Sequence, residues 1–76
     1  MKTTNIILNT INDVKLFVNI VSKYDFDVDL VSGRYAIDAK SIMGIFSLDL
    51  SKPITLEVYS DNCDDLMDEI KPFIIG

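Results

Sequence analysis

The sequence predicts an α+β fold: a four-stranded antiparallel sheet with three helices packed on one face. Stretches with an apolar residue at every second position alternate along the chain with stretches at helical spacing. A two-residue turn signal, Ser32-Gly33, joins two of the strand-like runs, so that pair is antiparallel. The 76 residues are 49% apolar and 25% charged, which suits one small domain spanning residues 1–76. A chain of this length buries only about 60–65% of its unfolded surface, so its core has to be efficient.

Thr3 to Leu8 is rich in Thr and Ile and reads as the first strand, broken by Asn9-Thr10. From Ile11 to about Ser22 the pattern is helical, with Ile11, Val14, Phe17, Val18 and Val21 in one arc. Asn12, Lys15, Asn19 and Lys23 lie opposite, and Thr10 or Asn9 supplies the N-cap. Leu16 and Ile20 fall outside the arc, one turn apart. They either pack under a loop or extend an apolar surface patch.

Phe26, Val28 and Leu30 alternate with Asp25, Asp27 and Asp29, a half-buried strand with a carboxylate at every outward position. Tyr35 to Asp38 returns as the second arm of the hairpin, and a second helix starts at Ser41. Ser51-Lys52-Pro53 is a loop, after which Ile54, Leu56 and Val58 alternate with Thr55, Glu57 and Tyr59 as a further strand. Asp61 or Asn62 caps the last helix. Its Cys63, Leu66, Met67, Ile70, Phe73 and Ile74 share an arc of about 120°, and Pro72 ends or kinks it near Lys71. The order is strand, helix, strand, strand, helix, strand, helix, without repeats or a linker.

Composition narrows the function. No apolar run approaches the roughly 18 residues of a membrane span, and the N-terminus lacks a signal-peptide layout. Cys63 is alone, so neither a disulfide framework nor a thiolate metal cluster is expected. These features point to a cytoplasmic protein with no membrane partner. A net charge of −5 with scattered basic residues argues against direct binding to nucleic acid. The chain has no histidine, which excludes imidazole acid–base chemistry, imidazole metal ligation and a phosphohistidine. No nucleophile–base arrangement is visible, so the expectation is a protein that is not an enzyme and takes no metal or cofactor.

The stretch Lys40-Ser41-Ile42-Met43-Gly44-Ile45-Phe46-Ser47-Leu48 departs from an ordinary core helix. At 100° per residue its apolar arc is roughly 220° wide, whereas a helix on one core needs a little over about 100°. Met43 and Phe46, with part of Ile42, should therefore reach solvent or a partner. An exposed apolar cluster rimmed by polar residues is a binding-site candidate, and methionine suits a surface that meets several partners.

Residues 32–48, Ser-Gly-Arg-Tyr-Ala-Ile-Asp-Ala-Lys-Ser-Ile-Met-Gly-Ile-Phe-Ser-Leu, resemble the second half of the histidine-containing phosphocarrier (HPr) family of the bacterial sugar phosphotransferase system. The specific core is Lys-Ser-Ile-Met-Gly with Leu48 five residues after Met43. Element spacing fits that family from about Thr3 to Ile74, so the resemblance implies a βαββαβα open-faced sandwich. It also implies a phosphoryl-accepting histidine at the start of the first helix, an arginine two residues on and then a proline. Counting back without a gap from Ser22-Lys23-Tyr24 puts Thr10, Asn12 and Asp13 at those places. A phosphohistidine is labile and passes its phosphoryl group onward, whereas a threonine phosphate is a stable ester. The absent arginine also removes a cation that would stabilise the transferring charge. An acyl phosphate on Asp13 is energetic enough for transfer, although the helix dipole alone accounts for an acid in the first turn.

By the same resemblance, Ser41 matches the regulatory serine that an HPr kinase/phosphorylase modifies. A phosphate there would meet unpaired N–H groups and the positive end of the helix dipole. Otherwise Ser41 is an N-cap worth about 1 kcal/mol. Lys40, Ile42, Met43 and Phe46 match the family's docking region. The implied function is a non-catalytic, HPr-like binding and regulatory protein, similar to the catabolite-repression paralogues that lack the histidine. Its implied partners are an HPr kinase/phosphorylase and a LacI-type regulator, although the arginine that helps hold the serine phosphate at that regulator is Asn12 here. The alternatives are a phosphoryl-transfer protein using Asp13 or Thr10, and a diverged domain that binds an unrelated partner. A monomer or weak dimer is expected, with strand exchange as one route.

Overall fold

In the computed structural model, which describes residues 1–76, the chain runs β1 (Lys2–Ile6), α1 (Ile11–Val21), β2 (Val28–Ser32), β3 (Tyr35–Asp38), α2 (Ile42–Phe46), β4 (Ile54–Val58) and α3 (Asp64–Glu69). A 3-10 turn at Lys71–Phe73 follows. The strands form one antiparallel sheet in the order β1-β4-β2-β3, the α+β open-faced sandwich that the sequence predicts.

Residues opposite one another on paired strands share a face. On the inner face Leu30 lies abreast of Leu56, Val28 of Val58, and Ile6 of Ile54, all of them buried. Against this face α1 buries Val14, Phe17 and Val21, α2 buries Ile45, and α3 buries Leu66. Phe17 and Phe73 meet edge to face, with ring centroids 6.2 Å apart at 84°, a favoured aromatic geometry. Every buried residue is apolar or is Cys63. The tail is tied beside β1 by Ile7 N–H donating to the Phe73 carbonyl and Ile75 N–H donating to the Asn5 carbonyl, both at 2.9 Å.

The outer face is uncovered. Thr3, Glu57, Asp29 and Asp38 lie in one row across it, and Asn5, Thr55, Val31 and Ala36 in the next. Tyr59 donates its hydroxyl to Glu57 Oε1 at 3.2 Å, and that bond holds the Tyr59 phenol above its usual range.

Several boundaries differ from the sequence reading. The first strand stops at Ile6 instead of Leu8, although Leu8 is still buried. The second begins at Val28, because Val28 pairs with Val58, the last residue of β4, and little ladder remains beyond it. Phe26 lies in a bend instead, its ring stacked on Tyr24 at 5.3 Å. Ser32 pairs with Tyr35, which moves the hairpin turn one residue along to Gly33-Arg34. Gly33 has φ +60° and no non-glycine residue has a positive φ, the pattern of a type II′ turn.

Ile11 is 63% exposed, since it opens α1 above the edge of the core. Neither Asp61 nor Asn62 caps the last helix. It starts after Cys63, whose side chain makes no capping bond, with Asp64 and Asp65 in its first turn. It ends at Glu69, and Pro72, which lacks an N–H, falls in the 3-10 turn, leaving Ile74 beyond.

Phe17 joins the sheet to the tail, so Phe17→Ala should cost about 3–5 kcal/mol, a large share of the roughly 5–15 kcal/mol of a small domain. Urea denaturation followed by far-ultraviolet circular dichroism should show the midpoint collapsing toward zero denaturant.

Candidate functional site

α2 is only five residues long, and its termini define it. Ser41 is the N-cap, with extended backbone, and its Oγ accepts from Gly44 N–H at 3.2 Å. A Cβ on Gly44 would come within 3.2 Å of that Oγ and 3.4 Å of Ile37 Cδ1. Glycine thus lets the first turn close on the serine and against β3. At the other end Ser47 Oγ donates to the Gly44 carbonyl at 2.6 Å.

Ile45 and Leu48 go into the core and Ile42 is half-buried. Met43 is 75% exposed and Phe46 40% exposed. The two stand one turn apart, on the turn that Ser41 caps, which is the exposure the width of the apolar arc predicts.

Lys40, expected to face a partner, is half-buried and its ammonium turns inward. Lys40 Nζ donates to the Tyr24 carbonyl at 2.7 Å, while its N–H donates to Asp38 Oδ1 at 2.9 Å. Tyr24 in turn donates its hydroxyl to Glu69 Oε2, and Lys23 Nζ donates to Glu69 Oε1. The hydrogen bond to Glu69, with burial and the carboxylate's charge, pushes the Tyr24 phenol up to about 12. The bonds from Lys23 and then Tyr24 hold Glu69 below the usual carboxylate range. The α1–β2 connection is thereby fastened to α3 on one side and to the entry of α2 on the other. No periodicity or local motif marks these residues, because the contact joins positions 45 and 46 apart in sequence.

At the start of α1, Thr10 Oγ1 accepts from Asp13 N–H at 3.0 Å. Asp13 Oδ2 accepts from Asn9 N–H at 3.0 Å and Thr10 N–H at 3.3 Å. This is a capping box, with each side chain serving the other's backbone. Asn12 beside it is exposed. Leu16 is exposed on the same helix, while Ile20 is partly buried against the core, so the pair does not pack together under a loop.

The surface has no pocket, and no three His, Cys, Asp or Glu side chains are placed to hold a metal ion. No helix is long and apolar enough to cross a membrane. What this geometry offers chemically is a short apolar surface beside a hydroxyl at a helix N-terminus.

Comparison with known proteins identifies the family and the fold. The PTS-HPr family, described as the PTS HPr component phosphorylation site, matches residues 12–75. The solved HPr-C-His of Thermoanaerobacter tengcongensis superposes with a TM-score of 0.79 at 25% identity, covering 95% of this chain and 89% of that one. A phosphocarrier protein HPr from Bacillus anthracis gives 0.72 at 18% identity, over 97% of this chain and 96% of that one. The Bacillus subtilis catabolite-repression protein Crh, described as a domain-swapped dimer, gives 0.66 at 22% identity, over 100% of this chain and 90% of that one. The Bacillus matches show the fold.

The pKa shifts set the pH limits of the Tyr24–Glu69 link. Tyr24 is raised in the fold, so its contribution is full below the ordinary value of 10.0 and is lost as pH rises through about 12. Glu69 is lowered, so its contribution is full above 4.5 and is lost as pH falls through its depressed value. In an ultraviolet phenolate titration of the three tyrosines, one should ionise near 12, and Tyr24→Phe should remove that step.

Proposed function

The chain belongs to the HPr family, and on that premise we propose that it is a non-catalytic binding and regulatory member of the bacterial phosphotransferase and carbon-catabolite system, working in the cytoplasm. HPr-family proteins are phosphocarriers and not themselves enzymes. This one has no histidine on which to carry the group. The observation that carries the reading is the exposure of Met43 and Phe46 on the turn that Ser41 caps. Ile42 completes the docking surface.

Ser41 is the regulatory position. It is exposed at the cap of α2, and a phosphate there would add about two negative charges while still meeting the Gly44 N–H. The modifying partner is an HPr kinase/phosphorylase. A LacI-type regulator is the less supported second partner, because a cation is needed to hold the phosphate at such an interface. Asn12 is neutral, and Lys40 reaches a partner only by leaving the Tyr24 carbonyl.

Phosphoryl transfer through Asp13 or Thr10 has less behind it. Modifying Asp13 would draw its carboxylate off the Asn9 and Thr10 N–H groups. A phosphate on Thr10 would stand beside that carboxylate, a like charge that the Ser41 cap lacks. A diverged domain that uses Met43 and Phe46 for an unrelated partner is the remaining alternative.

The deciding experiment is incubation with ATP and an HPr kinase/phosphorylase, read by intact mass. One phosphate should be added to the wild type and none to Ser41→Ala. No uptake would leave Ser41 as a helix cap and direct the search to another partner for the patch. Met43→Asp should abolish modification while changing stability by no more than about 0.5 kcal/mol, since Met43 is an exposed surface residue. Phosphoenolpyruvate and the upstream phosphotransferase enzyme should transfer nothing to the chain.

A further inference from the structure

The sheet has one bare edge. β1 is flanked in part by the tail, through the Ile6–Ile74 bridge and the Ile75 N–H to Asn5 carbonyl bond. β3 ends the strand order on the other side and has no neighbour there. The phase of the β2–β3 ladder is set by Ala39 N–H donating to the Val28 carbonyl at 2.8 Å. Hydrogen-bonded and non-hydrogen-bonded pairs alternate in an antiparallel ladder, so Leu30–Ile37 and Ser32–Tyr35 are bonded pairs and Val31–Ala36 is not. The N–H and carbonyl of Ala36 therefore point to the open edge.

The charges at this edge are unbalanced in a particular way. On the outer face Glu57, Asp29 and Asp38 lie abreast, and none of the three takes part in an ion pair. Like charges directly opposite one another destabilise a sheet. Their row ends at Asp38, on β3. Arg34, the chain's one arginine, stands exposed in the turn beside the same strand and also has no ion-pair partner.

The geometry points to a two-fold antiparallel pairing of β3 with β3 of a second copy of this chain, centred on Ala36. In that register the two Ala36 residues exchange their N–H and carbonyl groups. Arg34 of each copy lies abreast of Asp38 of the other, so each acidic row gains a cation at its end. Tyr35, 70% exposed in the single chain, meets Ile37 of the other copy on the inner face. An aromatic residue opposite a β-branched one is a favoured cross-strand pair. The strand is short and each copy carries −5, so the association is weak and concentration-dependent.

Sedimentation equilibrium from micromolar to millimolar protein tests this. The mean mass should climb from monomer toward dimer. Ala36→Pro removes no bond of the β2–β3 ladder, because the Ala36 N–H faces away from β2. Proline is tolerated on edge strands, so the variant should hold the mass at monomer with the fold retained. Arg34→Asp should do the same, and Arg34→Asp combined with Asp38→Arg should restore the dimer. A monomer mass throughout the concentration range would overturn the proposal. So would a dimer that survives Ala36→Pro, which would place the interface at another surface, such as an exchanged β1.

Discussion

A chain of 76 residues can cover a sheet on one side only, and most of this structure follows from that limit. β4 lies between β1 and β2 and presents Ile54, Leu56 and Val58 to the three helices. Those residues are buried, while Thr55 and Glu57 between them look outward. Every element then has to bring apolar side chains to the same face. α1 and α3 do so with an arc of ordinary width. α2 cannot, because five residues carry more apolar surface than the remaining space accepts. Ile45 takes the buried place and Met43 is left outside. The exposed patch and the bare acidic face are two results of one packing limit.

The alternation of β4 and the helical spacing of α1 were legible because each expresses which side of an element meets the core. The width of the apolar arc around Ser41 was legible for the same reason, and it anticipated the exposure of Met43 and Phe46. What could not be read depends on where the ladder runs out. Phe26 continues the alternation of Val28 and Leu30, yet the end of β4 leaves it nothing to pair with, and its ring turns to Tyr24. Ile11 obeys the wheel of α1 but sits at its first position, over the rim of the core. The inward turn of Lys40 was hidden as well, since a lysine's direction depends on an acceptor that the sequence does not place nearby.

Thr10 and Asp13 show how the same residues support different chemistry according to their neighbours. With a histidine and an arginine beside it, a helix start can hold a transferring phosphoryl group. Here the threonine hydroxyl and the aspartate carboxylate satisfy three backbone N–H groups between them. These bonds fasten the entry to α1 at a point where an uncapped helix would leave its amides to solvent. The arrangement serves the fold by itself, so no transfer chemistry is needed to explain why these residues stand there.

α2 stands differently from α1. A helix of five residues has no stability of its own in water, because nucleation costs more than so few bonds return. It is held by Ile45 and Leu48 in the core, by the Ser41 cap, by Asp38 on the Lys40 amide and by the Lys40 ammonium on Tyr24. Three of these four holds converge on residues 40 and 41, just before the first turn that carries Met43. A charge added at Ser41 therefore acts on the anchor of the patch and beside the patch at once. In the proposed reading, coupling between modification and docking needs no path through the molecule. The proposed modification site and the support of the proposed docking helix are adjacent residues, and the Lys40 link through Tyr24 to Glu69 extends that support to α3.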